Sequence, residues 1–147
     1  MERKYAEFAA TKACELLAID SPSGYTQKAA MWVKEAFEAL GFAAKITTKG
    51  GVLADLGGAD KDDALFLQAH TDTLGAMVAE IKANGRLKLT PLGGLRAENA
   101  ETENVRVHTR TGKIIEGTVQ LCNASVHVNG EYGEAKRTFD TVEVVLD

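Results

Sequence analysis

Apolar residues recur near the start of the chain at three- to four-residue spacing. Tyr5, Phe8, Ala9, Ala13, Leu16 and Leu17 gather on one side of a 3.6-residue repeat. That period predicts an amphipathic helix, ended by the turn formers Ser21-Pro22-Ser23-Gly24. A second helix is predicted over about 26–40, with Ala29, Ala30, Val33, Ala36, Phe37 and Leu40 as its buried stripe. Gly41 then stands where a helix stop favours a residue free to adopt positive φ. After Gly41 the period shortens, and residues 43–47, 52–56 and 64–69 read as strands. Gly50-Gly51 parts the first two, and the polar loop 57–63 precedes the third. The third, Ala64-Leu65-Phe66-Leu67-Gln68-Ala69, barely alternates, which is the pattern of a strand covered on both faces. Two helices and such a strand predict an α/β layer architecture.

Beyond Gly75 the helical period disappears. Residues 77–81, 86–90, 105–109, 113–119 and 141–146 read as strands. Asn84-Gly85 marks a hairpin, since both positions tolerate positive φ, and Thr111-Gly112 marks a weaker one. Many short strands at close spacing predict a small barrel or sandwich. The polar, glycine-containing stretch 120–140 takes no element from its pattern. The change of character near residue 75 divides the chain into 1–75, part of an α/β domain, and 76–147, a β-rich domain.

With 147 residues, 45% hydrophobic and 26% charged, the chain has enough apolar mass for a packed core, and wholesale disorder is not expected. A net charge of -4 and the lack of a basic stripe argue against nucleic acid as a partner. No apolar run nears the roughly 20 residues that span a bilayer, so no membrane partner is expected. The opening residues, from Met1 to Ala10, lack the apolar core of a secretory leader. Cys14 and Cys122 therefore read as reduced thiols, and the chain as cytoplasmic. Cys14, within the first helix, reads as a packing residue rather than a nucleophile. No phosphate loop follows Gly57-Gly58 or Gly93-Gly94, and no nucleophile elbow is present.

His70-Thr71-Asp72 is the one constellation with arguable chemistry. It follows directly on the apolar run, at the strand end where open α/β sheets place ligands. Alternation points side chains 70 and 72 the same way. One nitrogen of His70 could bind a metal while Asp72 accepts a hydrogen bond from the other, fixing the tautomer. The spacing has low specificity, and the plainer reading is a strand-end histidine bonded to a local carboxylate. His108 alternates with valines and reads as solvent-facing; His127 falls in the stretch without an assigned element. Trp32 lies off the stripe of its helix.

The run Leu67-Gln68-Ala69-His70-Thr71-Asp72-Thr73-Leu74-Gly75-Ala76-Met77-Val78 resembles the first metal motif of M42 aminopeptidases: apolar strand, His-x-Asp-x-x-Gly, apolar pair. Ser23-Gly24-Tyr25 looks like the family's early Ser-Gly signature. Gly50-Gly51-Val52-Leu53-Ala54 takes the place of its Gly-Asn-hydrophobic strand without the asparagine. Asn84-Gly85 with Thr90-Pro91-Leu92-Gly93-Gly94-Leu95, and the strands from Val105 to Val119, are similar to its inserted β-barrel-like domain.

The resemblance implies an α/β metallopeptidase catalytic domain of the phosphorylase/hydrolase type, interrupted by a small β-barrel-like oligomerisation domain. It implies a hydrolase that removes N-terminal residues from peptide substrates with two divalent metal ions, zinc or cobalt, and that assembles as a homo-oligomer. His70 would be a metal ligand, and Asp72 the catalytic-site carboxylate that orients it. The family's other ligands follow its inserted domain, and this sequence ends at Asp147 in what resembles the last strand of that domain. The resemblance thus implies an N-terminal fragment that is inactive alone and holds no firmly bound metal. The alternatives are an M20-type amidohydrolase, expected to show helices after residue 75, and a non-catalytic oligomerisation module with a vestigial half-site.

Overall fold

The structure, a computed structural model, describes residues 2–60 and 62–147. Met1, in the predicted leaderless start, and Lys61, in the predicted polar loop 57–63, lie outside the described residues. The chain divides into two compact units, the first ending at Thr73 and the second beginning at Leu74.

The first unit opens with helix α1 (Arg3–Leu17), followed by α2 (Gln27–Ala39) and a hairpin of β1 (Ala44–Ile46) and β2 (Val52–Ala54). The hairpin is antiparallel, with Lys45 opposite Leu53. Gly41, at φ +89°, ends the second helix as its sequence position implies. Burial is thinner than the pattern predicts. No residue of α1 is buried, and Tyr5, Phe8 and Leu17 of its apolar face are exposed. In α2 only Ala29 and Ala30 are buried; Val33, Ala36 and Phe37 are half-buried and Leu40 is exposed. Cys14 is exposed rather than packed. The two helices share a cation–π contact between Lys12 and Trp32 at 5.5 Å, so the tryptophan off the stripe touches α1.

Residues 64–69 depart furthest from expectation. They form no strand, and Leu65, Phe66 and Leu67 are 85%, 71% and 75% exposed. A run of apolar residues encodes a preference for burial, not a partner. Among the described residues no strand ladder includes this segment, so neither its backbone nor its side chains are covered.

The second unit is a curled antiparallel sheet of five strands. Its strands are β3 (Gly75–Ile81), β4 (Leu87–Leu92), β5 (Asn104–His108), β6 (Ile114–Leu121) and β7 (Val142–Leu146), in the order β3-β4-β7-β6-β5. The sheet is open, with β3 and β5 as its edges, where the spacing of strands had predicted a barrel or sandwich. Gly85, at φ +81°, turns β3 into β4 as Asn84-Gly85 predicts. A bulge between Val78 and Glu80 adds local twist. One short helix, α3 (Ala97–Ala100), interrupts a region that shows no helical period; four residues are too few to display one.

One sheet face carries the core: Leu87, Leu89, Val119, Leu121, Val142 and Val144, with Ala97 and Ala100 packed on it. Cross-strand pairing explains the grouping, since Val119 lies opposite Val144 and Leu121 opposite Val142. The stretch 122–140 is a series of turns that lends Tyr132, Ala135 and Phe139 to this core. Arg137 holds it closed, donating to Glu101 Oε2 (2.8 Å) and to the carbonyls of Tyr132 (3.0 Å) and Ala135 (2.6 Å). His108, predicted to face solvent, is half-buried and engaged by a partner.

Two positions in β6 and β7 decide how tightly the sheet closes. A Cβ at Gly117 would lie 2.5 Å from the Val145 carbonyl oxygen, so β6 and β7 meet only because the side chain is missing. Glu143 is 2% exposed and accepts from Lys82 Nζ at 2.8 Å and from Arg86, residues that flank the β3–β4 turn. Burial pushes its carboxyl up, but the bonds from Lys82 and Arg86 outweigh burial and hold it below the ordinary glutamate range.

Gly117→Ala is expected to destabilise the second unit by about 1–3 kcal/mol through overpacking, read as a lower urea midpoint for amide exchange in β6 and β7. Glu143→Gln is expected to cost on the order of 2 kcal/mol. That is less than the roughly 3–5 of a fully enclosed pair, because Lys82 and Arg86 keep contact with water. The pH dependence follows from the lowered carboxyl. Folded Glu143 binds its proton less readily than in the unfolded chain, so its contribution is complete above the ordinary value of 4.5 and is lost as pH falls through the folded one. A melting curve for Glu143→Gln with the same acid limb as the parent would contradict this.

A histidine–aspartate pair braced by a distant turn

His70 and Asp72 belong to the first unit. Their placement begins at the turn after α1. Tyr25 N–H donates to the Pro22 carbonyl at 2.8 Å, and Gly24 takes φ +87° at the third turn position, where a type II turn demands it. The Ser21–Ser23 backbone then runs beside the His-x-Asp segment. Pro22 forms a parallel bridge with Thr73, and Thr73 N–H donates to the Ser21 carbonyl at 2.9 Å. Proline is tolerated in the bridge because its neighbour supplies the donor. Ser21 is 1% exposed and its Oγ–H donates to the Thr71 carbonyl at 3.0 Å, so the buried hydroxyl is satisfied.

His70 Nδ1 lies 3.1 Å from the Asp72 carbonyl oxygen and 3.2 Å from Asp72 Oδ1. A backbone carbonyl can only accept, so Nδ1 carries a proton, and in the neutral ring Nε2 carries the lone pair. The second carboxylate oxygen, Oδ2, accepts from Ser23 Oγ–H at 2.6 Å. The Ser23 bond is the main cause holding the Asp72 carboxyl below the ordinary range; partial burial opposes it, and the nearby His70 assists. Both groups are open to solvent, His70 with 86% of its side chain exposed and Asp72 with 41%.

The hydrogen bond between the pair has the expected geometry, while its setting does not, because the apolar run before it forms no strand. An imidazole bonded to a carboxylate through Nδ1 fits one ligand of a metal site. It does not make a whole one. Among the described residues no group of three His, Cys, Asp or Glu could hold a metal ion, and a catalytic site uses about three protein ligands. His127 is exposed in the turn-rich stretch and His108 is half-buried in β5, both in the second unit. The shallow groove of about 550 Å³ lined by Ile19, Gln27, Lys28, Met31, Trp32 and Glu35 contains neither His70 nor Asp72. Ser21 and Ser23 read in the sequence as turn formers and as a signature. Their partners lie 50 and 49 residues away, and no local pattern discloses that.

The sequence model of the M42 glutamyl aminopeptidase family matches residues 50–147, a span that includes His70 and Asp72. YhfE of Bacillus subtilis (strain 168), by its name a candidate aminopeptidase, is 39% identical over 133 residues, covering 90% of this chain and 38% of that protein. The glutamyl aminopeptidase of Lactococcus lactis subsp. cremoris (strain MG1363) is 29% identical over 101 residues, covering 68% and 28%. Among solved structures, aminopeptidase APDkam598 from the archaeon Desulfurococcus kamchatkensis superposes with a TM-score of 0.75 at 23% identity, covering 88% of this chain and 34% of that one. At that identity the likeness speaks for the fold. The chain spans well under half the length of these relatives. Strands rather than helices follow residue 75, apart from the single turn of α3, which sets the M20-type alternative aside. With most of its residues inside the matched span and the His-x-Asp turn among them, the chain belongs to the M42 glutamyl aminopeptidase family.

Proposed function

We propose that the complete protein is a metal-dependent aminopeptidase, a hydrolase that removes N-terminal residues from peptides. The observation that carries this reading is the orientation of His70. Its Nδ1–H is occupied by Asp72, and its Nε2 lone pair stands on an exposed ring in the motif where the family places its first metal ligand. In this reading His70 ligates one of two divalent ions, zinc or cobalt. Asp72 touches no reacting atom; it orients the ring and raises its basicity as a ligand. A pair of such ions, when bound, supplies water activation and carbonyl polarisation. The remaining ligands come from the part of the family's length that this chain does not span. The reading also takes the protein as cytoplasmic, with the second unit serving homo-oligomer contacts.

A second reading is favoured by the missing third ligand among the described residues. The 147 residues alone then act as a non-catalytic assembly module with half a site. Sedimentation combined with zinc titration of the complete protein separates the two: assembly without zinc uptake supports the module, and stoichiometric uptake supports a competent site.

In the complete protein, His70→Ala is expected to weaken metal binding by more than about 100-fold, the upper range for losing only an outer partner. Release of p-nitroaniline from aminoacyl anilides is expected to fall with it, while the melting temperature of the metal-free protein holds because the side chain is exposed. The isolated 147-residue chain is expected to release none. Metal-dependent turnover by that chain would refute the division of ligands proposed above.

A further inference from the structure

The matched family span, residues 50–147, does not reach Ser23, which opens the Ser-Gly signature noted in the sequence. Yet the Ser23 hydroxyl makes the shortest of the bonds around the site, 2.6 Å to Asp72 Oδ2. We infer that Ser23 is a positioning residue: its hydroxyl fixes the Asp72 carboxylate, so that Oδ1 joins the Asp72 carbonyl in facing His70 Nδ1 and the Nε2 lone pair is presented to a cation. The cation rests on the reading above; the relay of hydrogen bonds does not.

The need for such a brace follows from exposure. A side chain in a packed core is held by its walls, and His70 has almost none. Carboxylate torsions are broad and roughly two-fold, so an unrestrained Asp72 presents either oxygen, or neither, to the ring. A donor committed to Oδ2 removes that freedom and leaves Oδ1 for the imidazole. The donor must itself be fixed, and Ser23 is. Its turn is closed by Tyr25 N–H on the Pro22 carbonyl, and the preceding residue is the buried Ser21, tied to both Thr71 and Thr73. None of those bonds uses Ser23 Oγ, so the hydroxyl is not required to close the turn. Its recipient is the carboxylate. Backbone order at one end of α2 is thereby carried through three side chains to a single ring nitrogen.

The test reads the ring directly, by nitrogen-15 NMR of the His70 imidazole. In Ser23→Ala the minor tautomer, protonated on Nε2, is expected to grow about threefold, the size that follows from losing one modest hydrogen bond. Ser23→Thr keeps the hydroxyl and is expected to restore the parent spectrum. Ser23→Cys, isosteric with a weaker donor, is expected to fall between. Ser21→Ala removes only the bond to Thr71; it is expected to lower the melting temperature and leave the tautomer ratio unchanged. Zinc affinity of the complete protein is expected to drop about 10- to 100-fold in Ser23→Ala and to recover in Ser23→Thr. A Ser23→Ala spectrum identical to the parent overturns the inference, as does an equal change in Ser21→Ala, which would mark a general structural role. If zinc leaves the His70 signals of the parent protein unmoved, the metal reading falls, and the tautomer series still decides the role of Ser23.

Discussion

Ser21 joins two pieces of chain that are fifty residues apart in sequence. Its hydroxyl and its carbonyl both face the His-x-Asp segment, one donating to Thr71 and the other accepting from Thr73. Closing a loop of that length costs several kcal/mol of chain entropy, and a pair of exposed side chains could not offset it. A serine withdrawn from water can contribute more, because leaving either of its groups unpaired would cost about 1–3 kcal/mol. The site is therefore built from the backbone outward. The bridge at Pro22 and Thr73 sets the register, the turn around Gly24 aims the next hydroxyl, and the carboxylate and imidazole follow.

The two units show how differently sequence pattern serves local and distant structure. Both long helices, the hairpin at Asn84-Gly85 and all five strands of the second unit stand within a few residues of where periodicity predicts them. Those signals are local: a period, a glycine at positive φ, an alternation. What pattern could not supply was the covering partner. The stripe of α1 and the run Leu65-Phe66-Leu67 are as apolar as Val142 and Val144 of β7, yet only those two valines are buried. The site was half legible for the same reason. Two side chains two residues apart announce their pairing, whereas Ser23 reaches Asp72 from a segment that reads simply as a turn.

In the second unit the same asymmetry appears on the charged side of the sheet. Glu143 alternates with valines in β7, and the pattern alone would turn it to solvent. Lys82 and Arg86 arrive from the far end of the neighbouring hairpin and enclose it. β4 meets β7 through a single register pair, Leu87 with Val144, so these two ion pairs fasten the hairpin where the backbone ladder is thinnest. Gly117 does the opposite work on the other side of β7, admitting the ladder where a side chain would hold it off.

The uncovered run at residues 65–67 has a consequence for the behaviour of the chain in concentrated solution. Apolar, exposed and in no strand ladder, it offers a template on which identical segments could stack at the 4.7–4.8 Å spacing of a cross-β fibril. Asp62 and Asp63 stand before it, separated by Ala64, and in a parallel, in-register stack each would meet its own copy at that spacing. Like charges brought so close repel strongly, so the two carboxylates act as gatekeepers at the mouth of a sticky segment. Their protection is electrostatic and therefore conditional: salt that screens them leaves Leu65, Phe66 and Leu67 free to self-associate.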